Sequence, residues 1–331
     1  MTDASGNISP SRRKDIIDAL RRGTVPQQGL DILAVGLTRF EDAIDEELQT
    51  VSGGGAVFKA VRGEYGSGKT FFSRWLTERA KRAGFATTEV QISETEAPLH
   101  KLETVYRRIT ENLSTSTTQS GALRDIVDGW FYILDHDVQD GANQSAGSER
   151  TLDLLQRRLS EVSKEAPAFA AVLRQYRLAQ TAGNSAEAEG LLAWLGGQPH
   201  VAASVKRAAG VRGDLDHFGA LGFLQGLLTI LRDSDYAGLV VVLDEVETLQ
   251  RMDEIDGGRF PGLYLLLTGT PAFFDGQQGV QRLPPLAQRL QTDFTTDARF
   301  DNPRATQIRL TGFNPESLLE LGSRVRDIYA A

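Results

Sequence analysis

The chain has 331 residues, a net charge of −8, 40% hydrophobic and 24% charged residues, and no cysteine. That balance fits an ordinary globular protein with room for more than one unit. It excludes a disulfide framework, a thiolate zinc site and a cysteine nucleophile. No apolar run approaches the roughly 20 residues of a membrane helix, and the polar residues 1–10 lack the apolar core of a signal peptide, so a cytoplasmic protein without membrane contact is expected. The acidic balance gives no global sign of nucleic-acid binding, although a local basic face stays open.

Residues 1–8 read as a disordered start. Ser9-Pro10 opens a helix that runs to about Arg22 and ends at Gly23. Residues 24–29 form a loop containing Val25-Pro26, which reads either as a connector or as a wall of an adenine pocket. Thr38 and Glu41 have capping-box spacing ahead of a helix with Phe40, Ile44, Leu48 and Val51 on its apolar side, broken at Gly53-Gly54-Gly55.

The stretch from Ala56 to Val61 is β-prone. It runs into Gly63-Glu64-Tyr65-Gly66-Ser67-Gly68-Lys69-Thr70, which fits G-x-x-x-x-G-K-[ST], the phosphate-binding loop of nucleoside triphosphatases. Phe71, Phe72, Trp75, Leu76 and Ala80 then recur at helical spacing. The motif thus lies between a strand and a helix, where backbone N–H groups and the helix N-terminus can face phosphate oxygens. Lys69 is expected to reach the β- and γ-phosphates of ATP, and Thr70 to ligate Mg²⁺.

Phe85–Ile92 reads as a second strand. Glu94 and Glu96 lie just past it, where they favour the N-terminus of a following helix bearing Leu99, Leu102, Val105, Tyr106, Ile109 and Leu113. Residues 114–120 read as a polar linker. Helical stripes follow: Leu123 to Leu134, then, after a polar loop over 135–147, Leu152, Leu155, Leu159 and Val162, then Phe169 to Tyr176, then Leu191 to Leu195. They describe an all-helical insertion. A polar stretch with Lys206, Arg207 and Arg212 reads as a solvated loop, with DNA or phosphate contact as the sharper alternative. Phe218, Leu221, Leu224, Leu228 and Leu231 mark one more helix.

Gly238–Leu243 is an apolar, β-branched run suited to a strand buried on both faces. It ends in Asp244-Glu245, two carboxylates that are costly there without a role. The upstream loop supplies one: Asp244 in the Mg²⁺ shell and Glu245 as the base that polarises water. Glu247 reads as an exposed spare acid. Leu263–Leu267 is a third buried strand ending in Thr268-Gly269-Thr270, whose hydroxyls suit contact with the attacking water or γ-phosphate. Of Arg282, Arg289 and Arg299, Arg289 is the choice for an arginine finger, which implies a homo-oligomer. Thr306–Leu310 reads as a strand. Asn314-Pro315 caps a last helix carrying Leu318, Leu319, Val325 and Ile328, read as the start of a truncated helical lid.

The boundaries are 1–55, an N-terminal helical segment; 56–113 and 216–312, the two halves of the ATPase core; 114–215, the insertion; and 313–331, the lid. The expected fold is an α/β P-loop NTPase, AAA-like and of the additional-strand type, with a mostly parallel sheet.

Five phrases carry a more specific likeness: Arg22–Pro26, Val61–Phe72, Glu89–Glu96, Leu243–Leu249 and Leu267–Pro271. Through them the whole chain resembles the BrxC/BrxD P-loop group of BREX phage-defence systems, and within it the BrxD type. The resemblance implies an ATPase working with a methyltransferase, a phosphatase-like protein and a helicase on a DNA-associated complex. A slow nucleotide switch or scaffold is the alternative reading.

Overall fold

The computed structural model describes residues 9–140, 157, 158, 160, 162–164, 166–246, 260–277 and 279–330. The expectations for residues 1–8, for Leu152, Leu155, Leu159 and Glu247, and for the second half of the loop over 135–147 lie outside them.

Five parallel strands form one sheet in the order β2-β3-β4-β1-β5. They are β1 (Val57–Arg62), β2 (Ala86–Gln91), β3 (Leu239–Asp244), β4 (Leu263–Gly269) and β5 (Gln307–Arg309). β3 and β4 are buried along their whole length, as their uninterrupted apolar runs require. Alternate residues face opposite layers, the two-residue period of an extended chain. Val240, Val242, Tyr264 and Leu266 join one core cluster, and Leu239, Val241, Leu243, Leu263, Leu265 and Leu267 join another.

The first layer contains α3 (Thr38–Ser52) and α4 (Lys69–Arg82), through Phe40, Ile44 and Leu48 and through Phe72, Trp75 and Leu76. The second contains α5 (Leu102–Glu111), α6 (Leu123–Asp140), α7 (Pro167–Thr181), α8 (Ser185–Leu195) and α10 (His217–Asp233). α9 (Ala203–Ala208) lies between the last two in sequence. Trp130, Phe169, Tyr176 and Trp194 share one continuous cluster with Val90, Leu243 and Leu267 of the sheet, so α6, α7 and α8 complete the core on that face.

The remaining helices are α1 (Pro10–Arg21), α2 (Leu30–Leu33), α11 (Pro271–Asp275), α12 (Pro284–Arg289) and α13 (Pro315–Ala330). α1 starts as its sequence predicts, with Ser9 accepting from the Arg12 N–H and Pro10 in the first turn. Asn314 likewise accepts from the Ser317 N–H at 2.7 Å at the head of α13.

Several expectations need correction. Thr38 makes no capping bond, because Leu37 occupies the cap position. α5 begins at Leu102, and Ser93 bridges Ala97 ahead of it, so Glu94 and Glu96 lie outside its first turn. The Ser114–Ser120 stretch is no free linker: Ser114 and Thr115 are buried, and Ser114 exchanges backbone bonds with Thr87 of β2. Residues 203–208 are helical, and Lys206 pairs with Asp214 at 3.1 Å. Phe218 is 80% exposed and takes no part in the core. On α13 the covered stripe is Leu321, Val325 and Ile328, packed on Ile16 and Leu33 of the N-terminal segment, while Leu318 and Leu319 face solvent. The 3.6-residue period turns Leu319 away from this stripe, whereas Leu318 lies in line with it but at the head of the helix, before the packed part begins.

A charged network is buried near the start of β1. Lys59, 1% exposed, pairs with Glu47 of α3 and donates to the Pro303 carbonyl at 2.9 Å. The Tyr264 hydroxyl donates to the other Glu47 oxygen at 2.5 Å. Every charge there has a partner, the condition for tolerating ions in a core.

Candidate functional site

β1 ends at Arg62 and α4 begins at Lys69, so the glycine-rich loop spans the gap between a central strand and a helix N-terminus. Gly66 and Gly68 hold φ of +77° and +92°, the left-handed region that favours glycine. Gly63 is required for a different reason: a Cβ there would sit 2.2 Å from Ser67 Oγ. Lys69 Nζ folds back over the loop and donates to the carbonyls of Gly63 at 2.7 Å and Glu64 at 3.0 Å. Burial holds its pKa below the ordinary lysine value, against the opposite pull of Asp244, Glu64 and Glu245. A cation on loop carbonyls beside a cradle of glycines fits an anionic phosphate chain.

The loop faces the C-terminal edge of the sheet, the usual ligand edge of an open α/β sheet. Asp244 is buried at the end of β3, and its Oδ2 lies 3.5 Å from Thr70 Oγ1. That spacing is long for a direct hydrogen bond and leaves both oxygens with capacity for a shared cation. The Thr70 hydroxyl and the Asp244 carboxylate are hard oxygen donors of the kind that hold Mg²⁺ together with phosphate oxygens, so the residues present fit the expected metal.

β4 lies beside β3 in parallel register. Thr268, fully buried, donates to Asp244 Oδ1 and accepts from the Glu245 N–H at 3.3 Å. Its hydroxyl proton is therefore committed to Asp244, and one lone pair is left to accept. Thr270 heads α11 without capping it and lines the cavity beside the loop.

Glu245 has φ of +57°, a conformation that is uncommon outside glycine, asparagine and aspartate. Gln91, at the end of β2, donates to its Oε2 at 2.5 Å. Glu89, two residues earlier on β2, has its pKa raised by burial and by the charge of Asp244, with Arg74 opposing.

Two cavities meet at the loop. One, of about 290 Å³, is lined by Tyr65, Gly66, Lys69, Thr70, Asp244 and Glu245, among others. The second, of about 510 Å³, is mainly apolar and is walled by the N-terminal segment and the start of α13, with Pro26, Leu33, Phe40, Leu310 and Leu321 in its lining. Val25, Gly68 and Phe71 line both, and Ser67 lines the apolar one. A polar cavity on the glycine loop joined to an apolar one has the two-part character of a nucleotide: phosphates in the first, a flat base in the second.

A family model described as BREX system ATP-binding protein BrxC/D matches residues 8–331. The chain belongs to this family. BREX ATP-binding proteins thus supply the context for the loop, the carboxylates and the cavities. No curated protein matches the chain.

Most residues expected from the sequence converge here. Gly63 and Glu64 contribute carbonyls beneath Lys69, and the others from Tyr65 to Phe71, with Val25, Pro26, Asp244, Glu245 and Thr270, border the cavities. Arg289 does not. It is exposed at the end of α12 and lines neither cavity, and the same holds for Arg282 and Arg299. No local pattern marks Gln91, whose place depends on β2 lying beside β3, or the apolar wall from Leu33 to Phe40. Among the described residues no helix is long and apolar enough to cross a membrane.

Proposed function

We propose that this BREX family member is a Mg²⁺-dependent ATPase of the BrxD type that couples ATP binding and hydrolysis to a DNA-associated defence complex in the cytoplasm. The observation that carries the reading is the meeting of Thr70 and Asp244 at 3.5 Å, with Lys69 and Glu245 on the same cavity. One strand, β4, lies between the strand before the glycine loop and the strand bearing Asp244. That order supports an AAA-like core of the additional-strand type.

In this reading Lys69 leaves the loop carbonyls for the phosphates, and Thr70 and Asp244 hold the metal. The bound metal supplies charge neutralisation on the phosphate oxygens. Glu245 takes a proton from the attacking water. Thr268 fixes the carboxylate and backbone of the Asp244-Glu245 pair, and Thr270 faces the reacting end of the cavity. Arg289 is left for a neighbouring copy's site, so specific activity should rise with protein concentration. Other BREX components, including a methyltransferase, a phosphatase-like protein and a helicase, are the proposed partners.

The Gln91–Glu245 bond favours a second reading. A base whose carboxylate is already held by an amide turns over slowly, as a nucleotide-dependent switch or scaffold does. Mg²⁺-dependent ATP hydrolysis, measured with and without duplex DNA for the wild type and Glu245→Gln, separates the two. DNA-stimulated turnover that Glu245→Gln abolishes while ATP binding persists supports the motor. Tight binding with negligible turnover in both proteins supports the switch, and absence of ATP binding in the wild type overturns both.

A further inference from the structure

The wall of the apolar cavity is fastened to the helix that carries the glycine loop. Arg74 Nη1 of α4 donates to the Val25 carbonyl at 2.8 Å. One turn later, Glu78 accepts from the backbone N–H of Gly29 at 2.9 Å and of Leu30 at 2.8 Å. Arg12 of α1 donates to the same carboxylate at 3.0 Å. Four residues apart on a helix, Arg74 and Glu78 project from one face. They grip opposite ends of segment 25–30, each through the backbone polarity it can satisfy: guanidinium to a carbonyl, carboxylate to amide N–H groups.

The segment itself is built for this. Pro26 is buried within it. Gly29 has φ of +79°, and a Cβ there would lie 2.7 Å from Ile16 Cδ1. Glu78 also supplies an acceptor to the first N–H groups of α2, which lack partners within their own helix.

We infer that Arg74 and Glu78 are positioning residues for the nucleoside, holding the wall of the base cavity at a fixed distance from the phosphate loop. This rests on the reading that the glycine loop binds a nucleoside triphosphate with its base in the apolar cavity. α4 then does two jobs. Its N-terminus faces the phosphates, and its next two turns carry the clamps, so the grips on phosphate and base belong to one rigid element. Preorganisation of this kind raises affinity by removing the ordering cost at binding.

The test is calorimetry in a Glu245→Gln background, comparing Mg²⁺-ATP with Mg²⁺-tripolyphosphate, which has the phosphates and no nucleoside. Arg74→Met and Glu78→Gln should each weaken ATP binding about tenfold, the scale of one hydrogen bond to a charged group. Tripolyphosphate affinity should change less than twofold. Arg74→Lys, which keeps a donor to Val25, should recover part of the loss. Retained tripolyphosphate binding reports an intact loop and fold in every variant. If the Glu245→Gln parent prefers ATP but the clamp variants lose ATP and tripolyphosphate in equal proportion, the clamp is overturned and the nucleotide reading stands. If the parent gains nothing from the nucleoside, the base reading falls and the inference falls with it.

Discussion

Replacing Gln91 with Leu removes the amide that holds Glu245 and keeps most of the side-chain volume. Hydrogen bonds to charged groups contribute about 1.5–3 kcal/mol, and this pair lies on an exposed edge, where solvent competition reduces it to about 1 kcal/mol. The left-handed backbone of Glu245 is the same in both proteins and cancels. If the carboxylate must leave Gln91 to reach water, Gln91→Leu lowers the barrier by that amount, which is about fivefold in rate. Single-turnover hydrolysis of Mg²⁺-ATP at saturating protein isolates the step from product release. The same substitution in Glu245→Gln should have no effect, since the interaction it removes no longer bears on a base. A rate that falls with Gln91→Leu refutes the reasoning, because it would mean that Gln91 holds Glu245 in its working position.

Three further outcomes follow from the geometry. Thr268→Val leaves the Glu245 N–H without its acceptor and frees one Asp244 oxygen, so Mg²⁺ dependence should shift to higher metal concentration with little change in metal-free nucleotide binding. Thr270→Val should leave metal affinity alone, and titrating Mg²⁺ against turnover distinguishes the two. Lys59→Met leaves the half-buried Glu47 with the Tyr264 hydroxyl but no cation, and should cost about 1–3 kcal/mol, seen as a lower urea midpoint. Adding Glu47→Gln should recover much of the loss, because Tyr264 then donates to a neutral acceptor. Burial depresses the pKa of Lys69, and a phosphate beside it raises it. Binding therefore takes up a proton, is strongest where Lys69 is already charged, and weakens as pH rises through the depressed value towards 10.5; ATP affinity measured across the alkaline range checks the sign.

How much of this was legible in the chain depends on how local each signal was. β3 and β4 were readable because a strand buried on both faces writes itself as an unbroken apolar run. The glycine loop was readable because its backbone demands fall on consecutive residues. Asp244 and Thr70 were paired by chemistry alone, although 174 positions separate them. What failed was decided by tertiary packing. Phe218 sits at the head of α10 with the spacing of a core residue, yet that end of the helix faces outward. Ser114 and Thr115 have linker composition but are buried, and Ser114 covers the edge of β2. The bond from the Thr268 hydroxyl to Asp244 was not legible, because it depends on β4 lying beside β3. Arg74 and Glu78 carry no local signal, since their partners are backbone atoms 49 and 48 positions away.

The arrangement of layers gives the two sides of the sheet different access to the chemistry. α4, with its clamps on segment 25–30, lies on one face. The helical block from α5 to α10 lies on the other and reaches the site through β2. There Thr88 donates to the Ile109 carbonyl at 3.0 Å, Asn112 donates to the Glu89 carbonyl at 2.8 Å, and Ser114 bonds Thr87. The same strand ends in Gln91. A force applied to the helical block thus meets the carboxylate of Glu245 before it meets the phosphate loop, whereas a force applied to the N-terminal segment meets the base cavity first. In the proposed ATPase reading the first bears mainly on the rate of hydrolysis and the second mainly on the affinity for nucleotide, with the Arg74–Glu89 ion pair at 3.8 Å as the link between them. Gln91→Leu should therefore alter turnover more than ATP affinity, and Arg74→Met should do the reverse.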